Sequence, residues 1–177
     1  MEAEVEPMPQ EPTHLVVMGV SGSGKSTIAE LLRKRLGWDF AEADEFHPEA
    51  NIRKMTQGTA LTDEDRWPWL RAMQAWMTEH AAVGESTIVT CSALKRTYRD
   101  LLREADGVVL FVHLDGDPAV IGERMEHRSG HFMPKSLLPD QLNTLEPLAP
   151  DEGGIRVSIE QTPEEIANET LERLGLA

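Results

Sequence analysis

The chain has 177 residues, 40% of them hydrophobic, which is enough for one domain with a substantial buried core. Its 31 acidic residues outnumber its 17 basic ones, and the net charge of −14 disfavours nucleic acid and anionic membranes as partners. No apolar run has the length of a membrane span, and the first residues lack the apolar segment of a secretory signal. The single cysteine, Cys91, allows no internal disulfide, and we therefore expect a cytoplasmic protein.

The first twelve residues combine four glutamates with three prolines. This composition is typical of a disordered acidic tail, because such a segment cannot bury enough apolar surface to fold. We therefore expect a tail over residues 1–12 and a single domain over residues 13–177. An acidic domain that handles anions must place positive charge locally, so its short basic segments are the places to look for a site.

Apolar runs alternate with helical patterns along the domain. The predicted strands are residues 15–18, 39–41, 87–91, 108–112 and 155–159. The predicted helices are residues 26–36, 65–82, 96–104, 118–128 and 163–174. Residues 87–91 and 108–112 are continuous and β-branched, which is typical of a sheet covered on both faces. The order predicts a three-layer α/β/α fold with a parallel sheet of about five strands.

The helix near residue 65 has two possible starts. A start at Thr62 would put Pro68 inside the helix, where its ring clashes with the preceding turn. A start at Asp65 puts Pro68 in the first turn, where no N–H bond is lost, and we favour this start. The stripe of Trp67, Leu70, Met73 and Met77 then predicts one buried face, and we interpret the tryptophans as packing residues. Thr162, followed by Pro163 and Glu165, predicts a capped start for the last helix.

Residues 19–27 have the sequence Gly-Val-Ser-Gly-Ser-Gly-Lys-Ser-Thr and lie between the first strand and the first helix. They match the phosphate-binding loop G-x-x-x-x-G-K-[ST], whose glycines let successive N–H groups turn towards a phosphate at the positive end of a helix. Lys25 can reach the β- and γ-phosphates, and the Ser26 hydroxyl can bind Mg²⁺. We predict an ATP site made by Gly19, Ser21, Gly22, Ser23, Gly24, Lys25, Ser26 and Thr27.

Asp44 follows the second strand, at the sheet edge where ligands bind in open α/β folds. An aspartate there can accept the proton of an acceptor hydroxyl and hold the hydroxyl in line with the γ-phosphorus. A guanine-reading Asn/Thr-Lys-x-Asp segment is absent from the sequence, and a helicase or transporter ATPase would need a longer chain. The pattern favours a small-molecule kinase in which Lys25 and Asp44 are catalytic.

Three further segments resemble the gluconokinase family. The first runs from Asp44-Glu45-Phe46-His47-Pro48 to Pro68-Trp69-Leu70, the second is Cys91–Lys95 with Tyr98-Arg99-Asp100, and the third is Gly130-His131-Phe132-Met133 with Leu137-Leu138 and Gln141. With the phosphate loop, the resemblance extends from about residue 15 to about residue 150. It implies ATP:D-gluconate 6-phosphotransferase activity, a homodimer, and a nucleoside-monophosphate-kinase-like fold with a mobile lid around residues 124–146. The chain departs from the family at Glu42, where an aspartate is usual, and at Leu142, where an aromatic residue is usual.

Gluconate is a small sugar acid, so its site needs cations for the carboxylate and hydrogen-bonding groups for the hydroxyls. Residues of these kinds in the resembling segments are Asp44, His47, Arg53, Arg66, Lys95, Arg99, His131 and Gln141, and we predict that they bind the acceptor. Lys95 and Arg99 are four residues apart and share a helix face. The resemblance implies that the lid arginines Arg124 and Arg128 close over ATP and stabilise the transferred phosphoryl group.

Two other functions fit the phosphate loop. One is another small-acceptor kinase, such as a shikimate or adenylylsulfate kinase, although neither resembles the segments around His47 and Lys95. The other is a catalytically silent nucleotide-sensing module, which would not need Lys25, Ser26, Asp44 and the lid arginines together. ADP release with and without gluconate distinguishes these functions.

Overall fold

The computed structural model describes residues 11–20, 22–117, 119–121 and 138–176. These residues contain a parallel sheet made of β1 (Thr13–Met18), β2 (Asp39–Glu42), β3 (Thr87–Thr90), β4 (Val108–Asp115) and β5 (Gly154–Ser158). The strands lie in the order β2-β3-β1-β4-β5, and every neighbouring pair is parallel. Each strand lies where an apolar run predicted one.

Helices connect the strands on both sides of this sheet. Their bounds are α1 (Lys25–Leu36), α2 (Glu49–Thr56), α3 (Asp63–Ala82), α4 (Arg96–Arg103), α5 (Leu138–Thr144) and α6 (Pro163–Arg173), with short 3₁₀ turns at Ala43–Phe46 and Pro150–Glu152. Helix α1 packs beside α6, and α3 packs beside α4. The predicted α/β fold is confirmed. Of the helix predicted over residues 118–128, residues 119–121 are helical and most of the rest lies outside the described residues.

The core lies around the central strand and the inner face of α3. Residues Leu15, Val16, Val17 and Met18 of β1 are completely buried, as are Leu70, Met73 and Met77 of α3. Trp69 is also buried, whereas Trp67 and Trp76 are partly buried and pack against the same core. The tryptophans are therefore packing residues, as predicted, although Trp69 rather than Trp67 belongs to the buried face.

Helix α3 begins two residues earlier than predicted. The Thr62 hydroxyl accepts a hydrogen bond from the Asp65 backbone N–H at 3.2 Å, and the Asp65 carboxylate accepts one from the Thr62 N–H at 2.9 Å. This reciprocal cap satisfies two N–H groups at the start of the helix, so the predicted start at Asp65 is wrong. Pro68 lies inside the helix, which therefore lacks one backbone hydrogen bond. The predicted cap at Thr162 is confirmed.

The acidic tail falls almost wholly outside the described residues, so the tail and the domain boundary at residue 13 remain predictions. Among the described helices, none is both long and apolar enough to span a bilayer. The order of the strands determines where the predicted site lies. The carboxyl ends of β1, β3 and β2 lie next to one another, so the loops that follow these strands share one edge of the sheet.

Candidate active site

The loop between β1 and α1 has the backbone of a phosphate-binding loop. Gly19, Gly22 and Gly24 have positive φ angles of 145°, 86° and 96°. A Cβ atom on Gly19 would lie 2.8 Å from Ser23 Oγ and 2.9 Å from the carbonyl oxygen of Leu114, so only glycine fits there. Helix α1 begins at Lys25, so the positive end of its dipole lies at this loop.

The side chains of the loop leave polar groups for a ligand. Ser23 is 1% exposed, and its Oγ has no hydrogen-bond partner within the described part of the chain. Lys25 Nζ donates to the carbonyl oxygens of Gly19 and Val20, each at 3.1 Å. Ser26 is half-buried and Thr27 is exposed, while Ser21 lies outside the described residues. Because a buried hydroxyl without a partner is costly, the Ser23 side chain fits a loop that encloses a polar ligand.

Asp44 is exposed on the 3₁₀ turn that follows β2. Two side chains fix this turn. Trp69 Nε1 donates to the carbonyl oxygen of Ala43 at 2.8 Å, and Thr90 Oγ1 accepts from the Ala43 N–H at 3.3 Å. The Thr90 hydroxyl in turn donates to Glu42 Oε2 at 2.7 Å. Glu42, one of the departures from the family pattern, therefore binds the end of β3 and helps to hold the turn that carries Asp44.

The end of β3 brings the separate parts of the site together. Burial raises the pKa of the Cys91 thiol to about 12, and the charges of Lys25, Asp44 and Arg66 act on the same thiol. The N–H of Gly19 also donates to the carbonyl oxygen of the neighbouring Ser92 at 3.3 Å. The charges of the predicted Lys25, Asp44 and Arg66 therefore all act on a residue at the carboxyl end of β3.

His47 lies beside Asp44 and is held in place by stacking. Its ring is parallel to that of Trp69, with centroids 4.1 Å apart and an interplanar angle of 12°. The Asn51 side-chain amide donates to His47 Nδ1 at 3.2 Å. Burial, followed by the nearby positive charge of Arg66, lowers the pKa of His47 to about 4. At neutral pH this histidine is an uncharged hydrogen-bonding group rather than a cation.

Two of the predicted acceptor cations lie in one side-chain cluster made by Asp63, Arg66, Lys95 and Tyr98, which we call the Tyr98 cluster. Arg66 Nη1 donates to the Tyr98 hydroxyl oxygen at 2.9 Å, and that hydroxyl donates to Asp63 Oδ1. Lys95 Nζ donates to Asp63 Oδ1 at 3.2 Å. The hydrogen bond from Tyr98 is the largest cause that lowers the pKa of Asp63, and the hydrogen bond to Asp63 raises the pKa of Lys95. Asp63 and Lys95 are therefore both ionised at neutral pH.

Arg99, a predicted acceptor-binding residue, lies in the interior of the protein. Its side chain is completely buried, with Nε and Nη2 donating to the two carboxylate oxygens of Glu152 at 2.7 and 2.9 Å. Nη1 donates to the carbonyl oxygen of Ala93 at 2.8 Å. Burial and these partners give Arg99 an internal role, whereas Lys95, at the N-terminus of α4, is one-third exposed. The structure therefore places Arg99 away from solvent, unlike the predicted acceptor residue Lys95.

The remaining predicted acceptor and lid residues are exposed, buried or outside the described residues. The Arg53 side chain is 67% exposed and pairs with Glu49 on its own helix at 3.3 Å, so the structure does not bring it to the Tyr98 cluster. Gln141 is buried on α5. Arg124, Arg128 and His131 lie outside the described residues, so their roles and the mobile lid remain predictions. Sequence reasoning assigned no role to Asp63 or Tyr98, although both lie within or beside the segments that resemble the family.

Comparisons with known proteins show which family and fold this chain resembles. A family model described as an AAA domain matches residues 15–148. A gluconokinase of Gluconobacter oxydans (strain 621H) is 50% identical over 161 residues, which cover 91% of this chain and 90% of the relative. The solved structure of an unliganded sugar kinase from Janibacter sp. HTCC2649 is 57% identical with a TM-score of 0.90, and the match covers 94% of this chain and 96% of that one. A solved gluconokinase from Sinorhizobium meliloti 1021 is 49% identical with a TM-score of 0.82, over 94% and 93% of the two chains.

A phosphate-binding loop on a parallel sheet, with an exposed aspartate at the end of another strand, and the matching family model define this chain as a P-loop kinase. An identity of 49–50% over at least nine-tenths of both chains is enough to assign the chain to one family of these kinases. The chain belongs to the gluconokinase family.

Proposed function

We propose that this protein transfers the γ-phosphoryl group of ATP to D-gluconate and forms 6-phospho-D-gluconate. The observation that carries the proposal is that the phosphate-binding loop after β1 and the Asp44 turn after β2 lie at one edge of the sheet, on either side of β3. The charges of Lys25, Asp44 and Arg66 all act at the end of β3, and the reaction needs such groups for the nucleotide, the hydroxyl and the acceptor anion. Membership of the gluconokinase family supports D-gluconate as the acceptor.

The nucleotide side of the proposal depends on the loop over residues 19–27. The glycine backbone, the start of α1 and the buried Ser23 hydroxyl fit the oxygens of a triphosphate. Ser26, the first hydroxyl of α1, would hold Mg²⁺. When bound, that ion supplies positive charge to the β- and γ-phosphate oxygens.

The transfer itself would use Lys25 and Asp44. We infer that Lys25 Nζ exchanges its contacts with the loop carbonyls for the β- and γ-phosphate oxygens, and so stabilises charge on the transferred group. Asp44 is exposed at the sheet edge, so an acceptor hydroxyl can reach its carboxylate. The carboxylate would orient that hydroxyl and take its proton as the new P–O bond forms and the bond to ADP breaks.

The acceptor would be bound by charged residues at its carboxylate end and by hydrogen-bonding residues along its hydroxyls. Arg66 and Lys95 would bind the carboxylate, while the neutral His47 and the buried Gln141 would hydrogen-bond to hydroxyls. Arg124, Arg128 and His131 keep their proposed roles in a lid over ATP and the acceptor. A homodimer, which the family resemblance implies, and a cytoplasmic location, which the single cysteine favours, are part of the same proposal.

The test is ADP release by the purified protein with Mg²⁺-ATP and a panel of acceptors. The panel contains D-gluconate, D-galactonate, shikimate and a sample without acceptor, and Lys25→Met controls for contaminating kinases. We expect D-gluconate to give the highest kcat/KM. A preference for shikimate would indicate another small-acceptor kinase. Binding of ATP without acceptor-dependent ADP release would favour a nucleotide-sensing module.

A further inference from the structure

The Tyr98 cluster carries more positive than negative charge, in a protein whose net charge is −14. Arg66 and Lys95 are two cations, and Asp63 is the one carboxylate that they share. The Arg66 side chain is only 12% exposed, and a cation that is mostly withdrawn from water is costly unless an anion accompanies it. One formal positive charge therefore remains for an anion that enters the site.

Tyr98 lies at the centre of this cluster and contacts both cations. Its hydroxyl accepts from Arg66 and gives its single proton to Asp63. The Arg66 guanidinium and Lys95 Nζ lie 5.3 and 5.6 Å from the centre of its ring, within the range of cation–π attraction. Tyr98 is itself 1% exposed, and the edge of its ring packs against Trp67. The phenol is therefore fixed and holds Arg66 and Lys95 in one arrangement.

The charge of Arg66 acts on other residues of the site. Arg66 lowers the pKa of His47 through its positive charge, and it also acts on Cys91 at the end of β3. Asp63 lies at the first position of α3 and Lys95 directly precedes α4, so the cluster joins the starts of these two helices. An acceptor whose hydroxyl reaches Asp44 could place an anionic group against the cluster.

We propose that Tyr98 is a positioning residue, which sets Arg66 and Lys95 to bind the carboxylate of the acceptor and so selects sugar acids over neutral polyols. This inference rests on the proposed function. Tyr98 acts through the two cations, and its hydroxyl supplies the geometric link between Arg66 and Asp63. Without that hydroxyl, the Arg66 guanidinium loses a fixed acceptor, and Asp63 keeps Lys95 at 3.2 Å and the more distant Arg66 at 3.9 Å.

The test is Tyr98→Phe, which removes the hydroxyl and keeps the ring. We expect the KM for D-gluconate to rise about tenfold, as is typical when a hydrogen bond to a charged group is lost, and the KM for ATP to change less than twofold. The preference for D-gluconate over its neutral amide, D-gluconamide, should fall by a similar factor. Trp67→Phe is the matched control, because it changes a ring that packs on Tyr98 and leaves the hydroxyl network intact. Its KM for D-gluconate should stay unchanged.

Several outcomes would overturn the inference. One is an unchanged KM and an unchanged preference in folded Tyr98→Phe, and another is an equal rise in KM for the acid and the amide, since that would indicate packing alone. If Tyr98→Phe does not fold, Lys95→Gln carries the test, because it removes the excess charge from a side chain that is one-third exposed. The preference for the acid must then fall. A wild-type protein that phosphorylates no aldonic acid would instead contradict the proposed function.

Discussion

Replacing Glu152 by glutamine should destabilise the protein strongly, because among the described residues Glu152 is the one carboxylate that pairs with the buried Arg99. The Glu152 carboxylate accepts from Arg99 Nε and Nη2, from Arg103 Nη2 at 2.7 Å and from the N–H of Ala149 at 2.8 Å. Its side chain is 1% exposed and that of Arg99 is 0% exposed, so water cannot replace the lost partner.

The magnitude follows from this burial. Removing one partner of a buried ion pair leaves the other charge uncompensated, which typically costs about 3–5 kcal/mol. In Glu152→Gln the side-chain NH₂ would also face guanidinium N–H groups, so at least one donor would lose its acceptor. We expect a loss of about 3–5 kcal/mol in the free energy of unfolding, and we expect a smaller loss when Arg99→Met and Glu152→Leu are combined, since no charge is then left buried.

The neighbouring Asp151 provides a matched control. It pairs with Arg96 at 2.9 Å, but its side chain is 68% exposed. Exposed ion pairs contribute about 0–1 kcal/mol, so Asp151→Asn should change the free energy of unfolding by less than about 1 kcal/mol. The assay is urea unfolding of the three variants and the wild type at pH 7.5, with midpoints compared at equal m-values. A Glu152→Gln effect no larger than that of Asp151→Asn would refute the reasoning.

The effect of Glu152 should also depend on pH. Burial of the carboxyl group opposes its ionisation, but hydrogen bonds from Arg99, the Ala149 N–H and Arg103 prevail and lower its pKa to about 2 from an ordinary value of 4.5. Because the folded pKa is the lower one, the stabilisation is complete above about pH 4.5 and is lost as the pH falls towards 2. The difference between the wild type and Glu152→Gln should therefore narrow below pH 4.5.

Three further predictions concern His113, Thr62 and Ser23. Burial lowers the pKa of His113 to about 4 from 6.5, so lowering the pH from 7.5 to 5 should reduce the free energy of unfolding by about 2 kcal/mol through this residue. The variant His113→Asn can still accept from the Leu148 N–H, and its free energy of unfolding should vary less over that pH range. Thr62→Ala removes the cap of α3 and should cost about 1 kcal/mol in urea unfolding, and no loss would contradict the observed start of the helix. Ser23→Ala should leave the ligand-free stability unchanged, since its hydroxyl has no partner among the described residues, but should weaken ATP binding by about two- to tenfold in calorimetry. Equal ATP affinity would argue against a role for that hydroxyl.

The strands were predictable because their apolar runs reflect burial on both faces of the sheet. Helices α2 and α5 were missed because neither has a wide apolar stripe. In α2 the buried residues are Asn51 and Met55, and α5 has only seven residues with Pro139 near its start. The start of α3 was predicted at the wrong residue because the reciprocal cap between Thr62 and Asp65 outweighs the cost of Pro68 inside the helix.

The phosphate-binding loop was predictable because its geometry is local in sequence. The burial of Arg99 was not predictable from local sequence, because its partner Glu152 lies 53 residues further along the chain. Spacing shows that Lys95 and Arg99 share a helix end, but it does not show which of them is covered by a later segment. Tyr98 was missed for the same reason, since its hydroxyl is placed between Arg66 and Asp63 only after α3 and α4 pack together.

The central claim is that Asp44 orients and deprotonates the acceptor hydroxyl beside a nucleotide held by the phosphate-binding loop. The most direct test measures kcat for D-gluconate and the Kd for Mg²⁺-ATP in Asp44→Asn. Positioned proton transfer contributes about 10²–10⁴-fold to rates, so kcat should fall at least about a hundredfold while the Kd for ATP stays within about twofold. Near-normal turnover in Asp44→Asn would contradict the claim.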